Sequence, residues 1–178
     1  CQYRKFFFKK DNIENPFTFT QMKNFCVNEI DNQLDNFECI LGEKFSVKNY
    51  KIMKIIKNYP KEFLLNPKKI FFKNQRTIKF HFDLYHGKGN LDKAIDLLDK
   101  KNREKFREFV NTKTSFNPHN MFICKKGILE KYYESIFPWL ESCEKIFGFK
   151  NLKGYGMTRI YGFLAERYLS YWFSENYK

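Results

Sequence analysis

Hydrophobic positions crowd together near the C-terminal end of the chain. From Arg159 to Phe173, Ile160, Tyr161, Phe163, Leu164, Ala165, Tyr168, Leu169, Tyr171, Trp172 and Phe173 leave little polar surface. The run predicts a helix, and a helix that is apolar all round belongs inside a fold. Glu166 and Arg167 sit in the middle of it. Adjacent helical positions point about 100° apart, so the two are not the favourable i,i+4 pair. Each is therefore expected to find a partner elsewhere in the fold, or a ligand, because an unpaired buried charge costs several kcal/mol, roughly.

Upstream the pattern alternates between periods. Cys1 to Phe8 reads as a short strand, and Thr20 to Leu34 as a helix with Met22, Phe25, Cys26, Ile30 and Leu34 on one side. Phe37 to Leu41 fits a buried strand ended by Gly42, and Ser46 to Asn58 a further helix closing near Pro60. Ile78, Phe80, Phe82 and Leu84 alternate as in a strand. The same residues also suit a helix opening behind Thr77. His86 to Asn90 is a turn, Leu91 to Leu98 and Asn102 to Val110 are short helices, and Asn117-Pro118-His119 is a second turn. Asn120 to Cys124 reads as a buried strand. Ile128, Tyr132, Ile136, Leu140, Cys143 and Phe147 mark the clearest helix, from Lys126 onward, with a bend expected at Pro138. Gly148, Gly154 and Gly156 predict a flexible connection into the last helix.

Composition narrows the class. The 178 residues are 43% hydrophobic, enough for one domain with a real core. No apolar run approaches the roughly 18 residues that cross a bilayer, and no signal peptide is visible. The chain begins at Cys1, which suggests a piece of a longer protein. Five cysteines at wide spacing, without a C-x-x-C, argue against a zinc site or disulfide framework and suit reduced thiols in the cytoplasm. The net charge of +13 invites a nucleic-acid reading, yet of 33 basic residues only six are arginine, the preferred reader of phosphates and bases. A positive field equally suits a diphosphate-bearing substrate or an anionic membrane. Asn66 to Lys79 combines Lys68, Lys69, Lys73, Arg76 and Lys79 with Phe71 and Phe72. It reads either as a lysine-rich surface loop with its phenylalanines tucked inward, or as a membrane-surface contact.

Three blocks together resemble a bacterial family of capsular polysaccharide biosynthesis glycosyltransferases from capsule and lipopolysaccharide gene clusters. Cys1-Gln2-Tyr3-Arg4-Lys5-Phe6-Phe7 is similar to that family's C-H-Y-R-R-Y-F, with Gln2 and Lys5 departing from it. Asn120-Met121-Phe122-Ile123, followed by Lys125-Lys126 and Phe137-Pro138-Trp139-Leu140, forms the second block. Arg159-Ile160-Tyr161-Gly162-Phe163-Leu164-Ala165-Glu166-Arg167, running on to Trp172, forms the third. The resemblance implies an α/β fold of GT-A-like type, its helix-rich C-terminal portion packed on a mostly parallel sheet. It also implies that residues 1–178 form a single glycosyltransferase-like domain lacking an N-terminal nucleotide-binding segment.

The resemblance further implies a nucleotide-sugar donor and a growing capsular or lipopolysaccharide glycan, lipid-linked, as acceptor. Tyr3, Arg4, Arg159 and Arg167 would bind the donor, a guanidinium forking onto phosphate oxygens. His86, His119 and Asn120 would hydrogen-bond the acceptor. Glu166 would be the catalytic base that takes the acceptor hydroxyl proton, a task for which burial tunes a carboxyl. The alternative for Glu166, Arg159 and Arg167 is a structural ion-pair network, with Arg167 fixing Glu166. Exposed turn histidines and a turn-closing asparagine are the alternatives for the acceptor set. No D-x-D motif is present. Mn²⁺ or Mg²⁺ would then need ligands upstream, or fixed cations such as Arg4, Arg159 and Lys153 would neutralise the diphosphate. The expected setting is the cytoplasm, at the inner face of an anionic membrane, with no nucleic-acid partner. A noncatalytic domain of a larger capsule-synthesis protein, binding glycan or another subunit, is the competing expectation.

Overall fold

A computed structural model describes residues 37–49, 53, 56, 60–65, 67–150 and 152–177. Labels below follow chain order within them. Strand β1 (Cys39–Leu41) and strand β2 (Phe45–Ser46) come first. Two short helices follow, α1 (Pro60–Leu65) and α2 (Pro67–Phe71), then a 3₁₀ turn over Lys73–Gln75. Helices α3 (Ile78–His86), α4 (Asn90–Ile95) and α5 (Lys100–Thr112) lead to strands β3 (Ser115–Phe116) and β4 (Phe122–Cys124). The chain closes with α6 (Lys126–Phe147), α7 (Tyr155–Thr158) and α8 (Ile160–Asn176).

This is not the GT-A-like α/β architecture that the sequence suggested. The described strands are two or three residues long and pair antiparallel in two separate two-stranded sheets. In one sheet Cys39, Ile40 and Leu41 face Cys124, Ile123 and Phe122. In the other, Phe45 and Ser46 face Phe116 and Ser115. A parallel sheet buried on both faces needs longer apolar runs joined by crossover helices. Here the longest apolar runs are taken up by helices instead.

The segment Ile78 to Leu84 shows how. Its alternation suggested a strand, but Thr77 caps a helix there, its Oγ1 accepting from the Phe80 N–H at 3.3 Å. Ile78 and Phe82, four apart, are both fully buried. The helix expected over Ser46 to Asn58 starts later than its pattern suggested: Ser46 lies in β2 and Val47–Lys48 in a turn, Met53 and Ile56 are helical, and most of the remainder lies outside the described residues. The expected elements at Cys1–Phe8 and Thr20–Leu34 lie outside the described residues. The lysine-rich stretch is not a loop with its phenylalanines inward, because it folds into α2, the 3₁₀ turn and α3, with Phe71 and Phe72 exposed.

Helix α8 is the centre of the core. Leu164, Tyr168, Leu169, Tyr171, Trp172 and Phe173 are buried on all sides of it, as an all-apolar helix requires. Phe82 of α3, Leu91, Ala94 and Ile95 of α4, Phe106 and Val110 of α5, and Ile128, Tyr132, Ile136 and Trp139 of α6 complete the cluster. The buried rings keep their polar ends satisfied. Trp139 Nε1 donates to the Ala94 carbonyl at 2.7 Å, Ser135 and Tyr168 share a hydrogen bond of 2.6 Å, and the Tyr171 hydroxyl donates to Asn102 at 3.0 Å. Among the described residues no helix is long and apolar enough to cross a membrane.

Phe106 packs edge-on against Trp139 and Tyr168, with centroids 5.9 and 5.5 Å away. Phe106→Ala should therefore lower stability by about 3–5 kcal/mol in urea unfolding. A loss below about 1 kcal/mol would show that α5 is not part of the same core.

Candidate functional site

One face of α8 carries a stripe at four-residue spacing: the Gly162 carbonyl, the Glu166 carboxylate and the Ser170 hydroxyl. Each accepts a hydrogen bond from the loop between β3 and β4. The Asn117 N–H reaches Ser170 Oγ at 2.7 Å, the His119 N–H reaches Glu166 Oε1 at 3.0 Å, and Asn120 Nδ2 reaches the Gly162 carbonyl at 3.1 Å. Asn117 Nδ2 also ties the loop to the Gly42 carbonyl at 2.6 Å. His119 and Asn120 adopt positive φ, 74° and 50°, a conformation that His and Asn tolerate better than most residues. The loop is thus held to the helix over its whole length.

Glu166 and Arg167 pair directly, with Arg167 Nη1 2.7 Å from Glu166 Oε2. The expectation that neighbouring helical residues must look only elsewhere is corrected here. Both side chains are long enough to bend back to each other and still meet distant partners. Arg167 Nη1 also donates to the Phe163 carbonyl at 3.2 Å, and Nη2 lies 3.1 Å from His81 Nδ1. Its guanidinium carbon stands 4.0 Å from the Phe116 ring centroid, a distance at which the ring face attracts the cation. Arg167 is 1% exposed and Glu166 6%, so water screens the pair little.

Two histidines of α3 complete the wall. An arginine only donates, so His81 Nδ1 accepts and a neutral ring carries its proton on Nε2. Burial, then the Arg167 and His86 charges, holds His81 well below the usual histidine range. His86 Nδ1 donates to the Gly156 carbonyl at 3.2 Å, leaving Nε2 with a lone pair. Burial, then Arg167, pushes His86 down to about 4, the Gly156 bond opposing. Its ring stacks on Phe163 at 4.0 Å. Gly156 is required for this approach rather than for flexibility, since a Cβ there would stand 2.1 Å from the Tyr85 carbonyl oxygen.

These groups surround a cleft of about 870 Å³. Phe45, Tyr85, Phe116, Tyr155 and Phe163 present rings to it. Glu166, Arg159, Arg167, His86, His119 and Asn120, named separately from the sequence, all line it. Tyr3 and Arg4 lie outside the described residues, and Lys153 is not among the lining residues. Arg159 is exposed, with Nη1 accepted by the Tyr155 hydroxyl at 2.7 Å and its guanidinium carbon 5.2 Å from that ring. His81, Tyr85 and Phe116 were missed. Read as a strand, residues 78–84 put His81 on a face apart from the apolar set; read at helical period, His81 and Tyr85 fall one turn apart. Among the described residues no group of three or more His, Cys, Asp or Glu side chains could hold a metal ion.

Two expected outcomes follow from this geometry. His86 in the fold binds its proton more weakly than in the unfolded chain, so between pH 6.5 and 4 the unfolded state holds more protons. Stability should fall as pH drops through that window, by on the order of 2–3 kcal/mol for His86, with His81 adding in the same direction. Urea midpoints from pH 7 to 5 should show this slope, and His86→Gln should flatten it; equal slopes would contradict the burial of a neutral His86. Gly156→Ala should cost about 1–3 kcal/mol through its clash with the Tyr85 backbone, read as a lower melting temperature. An unchanged melting temperature would mean that α7 does not press on α3.

Neither a curated protein nor a solved structure matches the chain. A family model spans residues 1–177, and the chain belongs to that family, a domain of unknown function, DUF4422.

Proposed function

We propose that the cleft transfers a sugar from a nucleotide diphosphate to a hydroxyl of a growing surface glycan, with Glu166 as the base. The observation that carries this reading is a carboxylate fixed by Arg167 and the His119 N–H in a cleft walled by aromatic rings, with the Arg159 guanidinium also exposed to it. Aromatic faces suit the apolar faces of sugar rings, and buried polar atoms between them select hydroxyl patterns. The resemblance of the Asn120–Ile123 and Gly162–Arg167 blocks to capsular glycosyltransferases supports the same reaction class.

In the proposed step the acceptor hydroxyl gives its proton to a Glu166 carboxylate oxygen. Its oxygen forms a bond to the anomeric carbon as the bond from that carbon to the diphosphate breaks. The electron pair leaves on the nucleoside diphosphate, whose charge Arg159 offsets. Arg167 is committed to Glu166, the Phe163 carbonyl and His81, so it acts as a positioning residue rather than a phosphate ligand. In this reading His86 Nε2 accepts a hydrogen bond from a sugar hydroxyl, while Asn120, its Nδ2 committed to the Gly162 carbonyl and its Oδ1 shut off from solvent, holds the loop.

A second reading, a noncatalytic glycan-binding domain, is favoured by one feature: both Glu166 oxygens already bind protein groups that tie the loop to α8. Melting temperature alone does not separate the two, because Glu166→Gln leaves a buried arginine charge uncompensated in either case. The separating measurement compares donor affinity with turnover in folded protein. On the catalytic reading Glu166→Gln binds nucleotide-sugar within about threefold of the parent and loses turnover by roughly 10²–10⁴-fold. Nucleotide-sugar turnover equal to the parent's in folded Glu166→Gln, or glycan binding by a parent chain that turns nothing over, would overturn it.

A further inference from the structure

Helices α1 and α2 and the residue that follows them turn apolar side chains to water. Leu64 is 75% exposed, Leu65 67% and Phe72 60%, and Lys61, Lys68 and Lys73 are exposed beside them. Large aliphatic side chains grouped on a surface mark an interaction site more often than isolated ones do. Residues 60–75 contain four lysines, Lys61, Lys68, Lys69 and Lys73, against one acid, Glu62.

Helix α2 is anchored by its buried side. Ile70 is fully buried, and Arg76, 1% exposed, donates to the Ile70 carbonyl and, at 2.7 Å, to the Lys48 carbonyl. Lys48 follows strand β2, whose Phe45 lines the cleft. Burying Ile70 while an arginine holds its carbonyl fixes which side of α2 points out.

We propose that this face docks on an anionic lipid bilayer, Leu64, Leu65 and Phe72 entering the interface while Lys61, Lys68 and Lys73 meet the headgroups. The pairing of aliphatic tips with flanking lysines carries the choice of occupant. Apolar groups beside basic ones are what an anionic interface binds. Nucleic acid would be met by arginines as well as rings, and Arg76, the arginine of this stretch, is buried on backbone carbonyls while Leu64 and Leu65 offer no face to stack on a base. A second copy of this face would bring lysines against lysines. The proposal stands apart from sugar transfer, since its residues lie outside the cleft lining and its readout needs no turnover.

The test is sedimentation of the full chain with phosphatidylcholine vesicles, with and without phosphatidylserine. The chain should sediment with the anionic vesicles, weakly or not at all with the neutral ones, and less as salt rises. Leu64→Ser/Leu65→Ser should lower partitioning about tenfold, and Lys61→Gln/Lys68→Gln/Lys73→Gln at least about tenfold. Both variants should keep the parent's melting temperature, because the changed side chains are exposed. Any of four results would overturn the proposal: no vesicle binding, equal binding to neutral and anionic vesicles, parent-like binding by both variants, or a preference for single-stranded oligonucleotide over anionic vesicles. A dimer that Leu64→Ser/Leu65→Ser dissolves, in a chain that ignores vesicles, would assign the face to self-association instead.

Discussion

The buried ion pair of Glu166 and Arg167 is the constraint on which the rest of the cleft depends. Two charges in a nearly dry interior are tolerable only with further hydrogen bonds around them. Glu166 obtains one from the loop and Arg167 obtains others from its own helix and from α3. Satisfying the pair therefore draws three pieces of chain together: the β3–β4 loop, α8 and α3. The cleft is the space left between them. Its polar groups are positioned by the same bonds that keep the charges from being orphaned.

This coupling explains why function and stability are hard to separate at Glu166. The carboxylate is fixed by the contacts that make it useful for proton transfer, and those contacts are also structural. His81 belongs to the same network, since its neutral ring accepts from Arg167 only while Nδ1 is unprotonated. Acid that protonates the α3 histidines therefore acts on the cleft as well as on the fold.

Much of the site was legible from residue types. A charged Glu-Arg step inside an all-apolar helix demanded an explanation, and turn residues at His86 and His119 marked chain reversals where polar groups collect, whereas Asn120, read as opening a strand, lies in the turn before it. What the sequence could not show was the period of Ile78 to Leu84, because alternating apolar residues in so short a run fit a strand or a helix. Thr77 decided for the helix through a cap, and that choice put His81 and Tyr85 into the cleft. The mostly parallel sheet was implied by the resemblance and not by the pattern. A short apolar run such as Phe37 to Leu41 fits a strand without telling a parallel partner from an antiparallel one, and Cys39–Leu41 pairs antiparallel with Phe122–Cys124. The close approach of Gly156 to α3 is a long-range contact with no local signature.

Glu166 holds the β3–β4 loop on α8 through the His119 N–H. Amide hydrogen exchange at His119 reads that bond directly. The expected result is a His119 N–H protected in the folded chain, with protection lost by more than about tenfold in Glu166→Ala while core amides of α6 keep theirs. A His119 amide that exchanges at the unprotected rate in the parent chain would contradict it.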